Sequence, residues 1–258
     1  TIADRSEFGD WVLEQEETSN RTKAYDAIQQ YDGILKKAGR KAHFLGIVDT
    51  DGAIVARDLD IKNMYKEKLP FARNVPVALK GKISTDIWNW KNRMMRSAAA
   101  PIFVNEGVAG AVVIAYDITS AEARMDKDQF GTEVALYLAK TIRASSLTHS
   151  AEGTNEDATS VTALNSAVLG TEDAPGSRAL AEGKPSEIFN IKVRGEDYLA
   201  ITGPLPTAAK RDDMGFVVLA SVTKAMAPIS ASQARSGPTC GAIQTTSKGL
   251  RYTAPPRS

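Results

Sequence analysis

Between residues 4 and 37 the positions Phe8, Trp11, Gln15, Thr18, Thr22, Tyr25, Ile28, Tyr31 and Leu35 recur at intervals of three and four, with no Pro among them. That spacing predicts one long amphipathic helix, about 50 Å at 1.5 Å per residue, starting near Asp4 and running past Tyr31. Such a length would let it flank more than one globular module. Its middle, 14–23, is polar. This part is expected to face solvent or to sit at a weak seam between two copies, so a homodimer through the helix is the expected assembly. Gly39, followed by Arg40 and Lys41, marks a stop.

The period then changes to two. Residues 44–48 and 53–57 are apolar runs around Asp49-Thr50-Asp51-Gly52, and Asp-Gly tolerates the positive φ of a tight turn, so a β-hairpin is predicted. The stretch 60–80, broken by Pro70 and Pro76, has room only for short helices and loops. Strands follow at 84–90, 93–103 and 108–117, with turns at Lys91-Asn92 and Asn105-Glu106-Gly107.

The order then recurs. Strands are predicted at 132–138 and 141–147, helices at 155–169 and 177–182, and strands at 186–193, 197–205 and 214–222. The wording recurs too, as Leu79-Lys80-Gly81-Lys82 against Ala181-Glu182-Gly183-Lys184, and as Gly110-Ala111-Val112-Val113 against Gly215-Phe216-Val217-Val218. A repeat of this length describes two copies of a small domain and not a solenoid. Between them Thr119 and Glu122 form a capping-box pattern that opens a connecting helix. The expected fold is α+β: a long N-terminal helix (1–42), a first module (43–118), a connecting helix with a second module (119–225), and a C-terminal extension (226–258). Each module is expected to hold an antiparallel sheet of about five strands with flanking helices.

Composition narrows the function. The 258 residues are 43% hydrophobic and 24% charged, enough for two ordinary cores. Lys plus Arg number 32 and Asp plus Glu 31, so no net field recruits nucleic acid, and none is expected as a partner. The longest apolar run, 108–115, is far short of the roughly 20 residues that span a bilayer. The first residues lack the basic-then-apolar pattern of a secretory leader. The segment 236–258, rich in Gly, Pro, Ser and Thr, reads either as a disordered tail or as appended, non-native sequence.

Catalytic patterns are thin. Ser221-Val222-Thr223-Lys224 fits S-x-x-K, in which Lys activates a Ser nucleophile, but Ser221 ends a strand and no companion motif follows. His43 and His149 have no metal-ligand spacing, and the lone Cys240 has no positioned His. Asp49, Asp51 and Gly52 lack the later bidentate acid of a calcium loop. No catalytic residue, metal or cofactor is therefore expected.

Binding chemistry is better placed. Trp88 and Trp90 are two apart and share one face of a strand, where rings serve either as core or as the floor of a pocket. Asp117 closes a strand just before Thr119; with Thr119 filling the cap, Asp117 is expected to face inward. Tyr198, Arg143 and Ser146 in the second copy are explained by local hydrogen bonds.

The element order, with residues 44–52, 110–118 and Ala144-Ser145-Ser146-Leu147, resembles the double Cache family of extracytoplasmic sensor domains, over about residues 4–224. The resemblance implies two PAS-like modules that bind a small molecule outside the cell, in the membrane-distal first module. Transmembrane helices on either side would pass the change to a kinase, cyclase or chemotaxis output. It also implies that Asp117 holds a ligand ammonium. Tyr65 and Arg73 fall in the region of the family's amino-acid motif, but Arg73 is followed by Asn74 and Val75 where that motif has Arg-x-Trp. Arg73 is open to a bidentate carboxylate contact or to a solvated role. The expected site is thus Asp117, Trp88, Trp90, Tyr65 and Arg73. The rival readings are a cytoplasmic tandem PAS- or GAF-like sensor and a small serine hydrolase using Ser221 and Lys224.

Overall fold

The computed structural model describes residues 6–14, 18–60, 62–148, 155–205 and 213–223. His149, Lys224, Cys240 and the tail 226–258 lie outside the described residues.

Helices α1 (Ser6–Leu13) and α2 (Thr18–Lys37) precede strands β1 (Phe44–Asp49) and β2 (Ile54–Arg57), a short helix α3 (Asn74–Ala78), and strands β3 (Ser84–Trp90), β4 (Arg93–Val104) and β5 (Gly107–Asp117). Helix α4 (Ser120–Phe130) leads to β6 (Glu133–Leu138), β7 (Thr141–Ser145), α5 (Asn155–Leu169), α6 (Pro175–Glu182), β8 (Phe189–Val193), β9 (Glu196–Pro204) and β10 (Met214–Ser221). Two five-stranded antiparallel sheets result, ordered β2-β1-β5-β4-β3 and β7-β6-β10-β9-β8. The two orders are the same, so the repeat read in the sequence is a repeat of topology, and the modules are PAS-like.

Both faces of each sheet are covered, which is why β5 and β10 read as nearly continuous apolar runs. On the inner face of the first sheet Phe44, Val48, Met95, Ala99, Val113 and Ala115 pack against Leu69, Val75 and Ala78. The outer face, with Leu45, Ile47, Ile102 and Val112, takes Val12 of α1 and Ala24 and Ile28 of α2. In the second sheet the inner residues Ala135, Tyr137, Val217 and Leu219 meet Leu164, Val168 and Leu169 of α5.

The single long helix expected at the N-terminus is corrected here: α1 and α2 are separate, and both fold onto the outer face of the first sheet instead of flanking both modules. The cause is the polar middle. The stretch 14–23 is polar in sequence, whereas Trp11 and Val12 on one side and Ala24 and Ile28 on the other each gain a covered face by docking separately. Asn20 Nδ2 donates to the carbonyl and the carboxylate of Glu14, tying the start of α2 to the end of α1.

Other expectations hold closely. Asp49 Oδ1 accepts from the N–H groups of Asp51 and Ala53, both at 2.9 Å, and Gly52 takes φ 75° in the turn. Thr119 caps α4, with Glu122 Oε2 accepting from its N–H at 2.8 Å. The modules are joined by an apolar cluster in which Ile87 and Met94 of the β3–β4 hairpin meet Leu136, Leu138, Ala144 and Met214 on the outer face of the second sheet, with Ile118 and Ala123 of the connection. Asn89 Nδ2 donates to Asp213 Oδ2 (2.9 Å) and Arg143 Nη2 to Asn92 Oδ1 (2.8 Å) at the edges of that cluster.

Candidate functional site

Alternation along β3, β4 and β5 decides which side chains can meet. Trp88 pairs with Met95, Trp90 with Arg93, and Met95 with Asp117, so all five share the inner face of the first sheet. The two tryptophans are not equivalent there. Trp88 is wholly buried, and its Nε1 donates to Asn74 Oδ1 at 3.1 Å. Asn74 Nδ2 donates to Ser97 Oγ (3.1 Å), and that hydroxyl donates to the carbonyl of Asp86 (3.0 Å). Each member of this buried chain has its partner, which makes Trp88 a structural anchor. Trp90, half-buried at the sheet's end, stacks on Phe71 (5.9 Å, 20°) and meets Phe44 edge-on at 5.7 Å.

Asp117 is 15% exposed and salt-bridged to Arg93, which is 51% exposed. His43 Nε2 lies 3.5 Å from Asp117 Oδ2, and the Asp117 N–H donates to His43 Nδ1 at 3.1 Å. A ring nitrogen that accepts a hydrogen bond carries no proton. Burial, followed by the charges of Arg93 and Lys41, accordingly holds the imidazole below its ordinary pKa. The second oxygen, Asp117 Oδ1, is buried with no hydrogen-bond partner among the described residues.

Tyr65 and Arg73 stand apart from these groups. Tyr65 is half-buried under the guanidinium of Arg21 from α2, 4.5 Å above its ring. Arg73 is exposed at the start of α3. The site residues thus divide: Trp88, Trp90 and Asp117 share a face, while Tyr65 lies against α2 and Arg73 faces solvent.

Sequence reasoning missed Arg57. It closes β2, pairs with Gly46, is 3% exposed, and holds its guanidinium 4.7 Å over Phe44 and 5.5 Å over Trp90. The only signal was a cation closing the otherwise apolar strand Ile54-Val55-Ala56.

In the second module Ser221 Oγ donates to Glu196, as does the Tyr198 hydroxyl, which burial and then this carboxylate push above its ordinary pKa. The hairpin register places Glu196 and Ser221 where the first module has Arg93 and Asp117. Ser146 accepts from the Val134 N–H and donates to Glu133. A cleft of about 750 Å³ opens between α6, the end of α5 and the β6–β7 turn, lined among others by Leu169, Leu180, Lys140, Glu182 and Asp213. Among the described residues no helix is long and apolar enough to cross a membrane.

No protein-family model matches the chain, and no curated protein does. Solved structures do. The sensor domain of the histidine kinase DctB from V. cholerae superposes with TM-score 0.51 at 14% identity, over 85% of this chain and 86% of that one. A domain of a putative sensory box/GGDEF family protein from Vibrio parahaemolyticus gives TM-score 0.43 and 13% identity over 86% of each chain. The sensory domain of the Campylobacter jejuni chemoreceptor Tlp3 gives 0.40 and 11%, over 86% of this chain and 94% of that one. At 14% identity the first likeness is one of fold alone, and its extent takes in both PAS-like sheets of this chain.

Proposed function

We propose that this chain is the extracytoplasmic, ligand-binding part of a membrane receptor, without catalytic activity, and that it takes a small molecule on the inner face of its first sheet. The observation that carries the reading is Asp117. A carboxylate on that face keeps one buried oxygen without a partner among the described residues, its other oxygen is held by the half-exposed Arg93, and the half-buried Trp90 lies beside Arg93. An ammonium donor from a ligand would satisfy Oδ1 in a place where an unpaired acceptor is costly. Trp90 and Phe71 would supply a flat apolar wall, Trp88 the layer beneath. The fold likeness to a histidine-kinase sensor domain supports the sensing role and the placement outside the membrane. Binding of amino acids is known for structures of chemoreceptor sensory domains such as that of Tlp3 with isoleucine.

The test is a thermal-shift screen of the chain against amino acids, amines, carboxylates and purines. A compound at a hundred times its dissociation constant adds about 2.7 kcal/mol, which moves the midpoint by roughly 5–10 °C for a chain of this size. Asp117→Ala is expected to weaken an amino-bearing ligand more than tenfold, the loss of about 2 kcal/mol or more that follows removal of a buried charge partner. An affinity unchanged by that substitution removes Asp117 from the site.

A further inference from the structure

Two copies of one topology can be compared position by position, and they differ at the end of the sheet where β5 and β10 begin. In the first copy that end is filled. A methyl group on Gly52, in the β1–β2 turn, would touch Val75 and Leu79 at 3.6 and 3.8 Å, and one on Gly81 would touch Phe103 and Val108 at 3.7–3.8 Å. In the second copy the corresponding β6–β7 turn and Gly183, which matches Gly81 in the repeated sequence, border the cleft of about 750 Å³. A methyl group on Gly183 would meet nothing within 4 Å. Counted back from the matching glycines Gly110 and Gly215, Asp213 stands where the first copy has Val108, and it lines the cleft.

Local sequence keeps this space open. Helix α6 docks on the end of α5 through Gly176, where a Cβ would fall 2.7–2.9 Å from Val168 and Leu169, so the start of the helix is pinned. Towards its other end the short side chain of Ala181 faces the cleft, while Leu169 and Leu180 give it apolar surface. The volume is within the range of roughly 300–1,000 Å³ typical of small-molecule sites. Its charges leave one carboxylate over. Lys140 and Glu172 are both exposed and offset each other, and Glu182 is paired with Lys184 at 3.0 Å. Asp213 is half-buried, and the described partner of its carboxylate is the uncharged amide of Asn89. Ser177 lines the same cleft, and its hydroxyl oxygen is buried with no hydrogen-bond partner among the described residues. A polar group in that condition is costly unless something pairs with it.

We infer that this cleft is a second ligand site, separate from the inner face of the first sheet, and that it takes an organic cation with an apolar body. The ammonium group pairs with Asp213, whose Oδ2 alone is engaged by Asn89, and the apolar body lies against Leu169 and Leu180. A charge-assisted bond from an ammonium is roughly twice as strong as one from a neutral amide, which is why the cation is favoured over an alcohol of the same shape. The site also bears on the joint between the modules. Asn89 lies between Trp88 and Trp90 on β3, and the carbonyl of Asp213 accepts from the Ala139 N–H in the β6–β7 turn. A ligand held by Asp213 therefore acts on the residue that ties the first module's hairpin to the second sheet.

The test uses the full chain and probe pairs that differ in an ammonium against a hydroxyl: cyclohexylamine and cyclohexanol, benzylamine and benzyl alcohol. Calorimetric titration should show the amine of at least one pair binding at least tenfold more tightly than its alcohol, with the same affinity for Asp117→Ala. Asp213→Asn removes the charge but keeps an acceptor for Asn89, and should weaken that amine at least tenfold. Ala181→Trp, at an exposed position of α6, fills the cleft and should abolish binding. Should Asp213→Asn fail to fold, Ala181→Trp decides. Equal binding of amine and alcohol overturns the inference, as does an amine affinity that survives Asp213→Asn or Ala181→Trp, or the absence of binding by either amine. An amine lost with Asp117→Ala and kept with Ala181→Trp also overturns it while supporting the site on the first sheet, so the two readings fail separately.

Discussion

The difference between Trp88 and Trp90 is open to direct measurement. Trp88→Phe keeps a ring in edge-on contact with Phe44 (5.8 Å) and Phe71 (5.3 Å) but deletes the indole N–H. Asn74, wholly buried, then loses the donor to its Oδ1, and leaving such an acceptor unpaired costs about 1–3 kcal/mol. The smaller ring also leaves a void of about 40 Å³, worth ~1 kcal/mol at roughly 24 cal/mol per Å³. Together Trp88→Phe should destabilise by about 2–4 kcal/mol. Trp90→Phe, at a half-buried position on the rim, should cost about 1 kcal/mol or less. Guanidinium unfolding followed by circular dichroism reads both, since the substitutions alter tryptophan emission itself. The midpoint should fall with the slope unchanged. Asn74→Ala, which strands the same indole N–H and deprives Ser97 of a donor, should resemble Trp88→Phe. Equal costs for Trp88→Phe and Trp90→Phe would refute the assignment of one ring to the buried chain and the other to the rim.

Gly215→Ala should destabilise by about 1–3 kcal/mol, because its Cβ would run into the buried ring of Tyr137, whose hydroxyl is held by Thr202 and Gly203; Tyr137→Leu should then cost less in that background than alone, in a thermal-denaturation cycle. Stability should fall on acidification through the ordinary His range near about 6.5, because the unfolded chain then binds a proton that the folded His43, with its depressed pKa, resists; His43→Gln should flatten that part of the pH profile. Met94→Ala should cost about 2–5 kcal/mol and loosen the joint between the sheets, read as faster amide exchange in both β4 and β6. Ser221→Ala should leave ester turnover by the purified chain at its background rate, since the described partner of the Ser221 hydroxyl is the Glu196 carboxylate; saturable hydrolysis lost in that variant would favour the hydrolase reading.

What the sequence determined by itself was local. The two-residue period, the Asp-Gly turn and the Thr119–Glu122 cap each depend on residues a few positions apart, and all ten strands lie close to where the pattern placed them. The duplication was equally legible, because two copies of one topology must repeat their turns in order. That Trp88 and Trp90 share a face also followed from alternation, whereas Asp117 joins them only through the register that pairs Met95 with both Trp88 and Asp117. The tertiary structure decided the rest. Helical spacing in 6–37 was satisfied equally by one rod or by two helices, and only the apolar outer face of the first sheet selected two. No local rule separates Trp88 from Trp90: the distinction comes from Asn74, brought beneath one indole from α3, and from Phe71, stacked on the other. Arg57 reads as a polar strand end until Phe44, Trp90 and Met64, brought from three other segments, close around it. Periodicity reports which side of an element is apolar, whereas burial and charge partnership depend on what the opposite element brings to that side, and that is fixed only when the sheet closes.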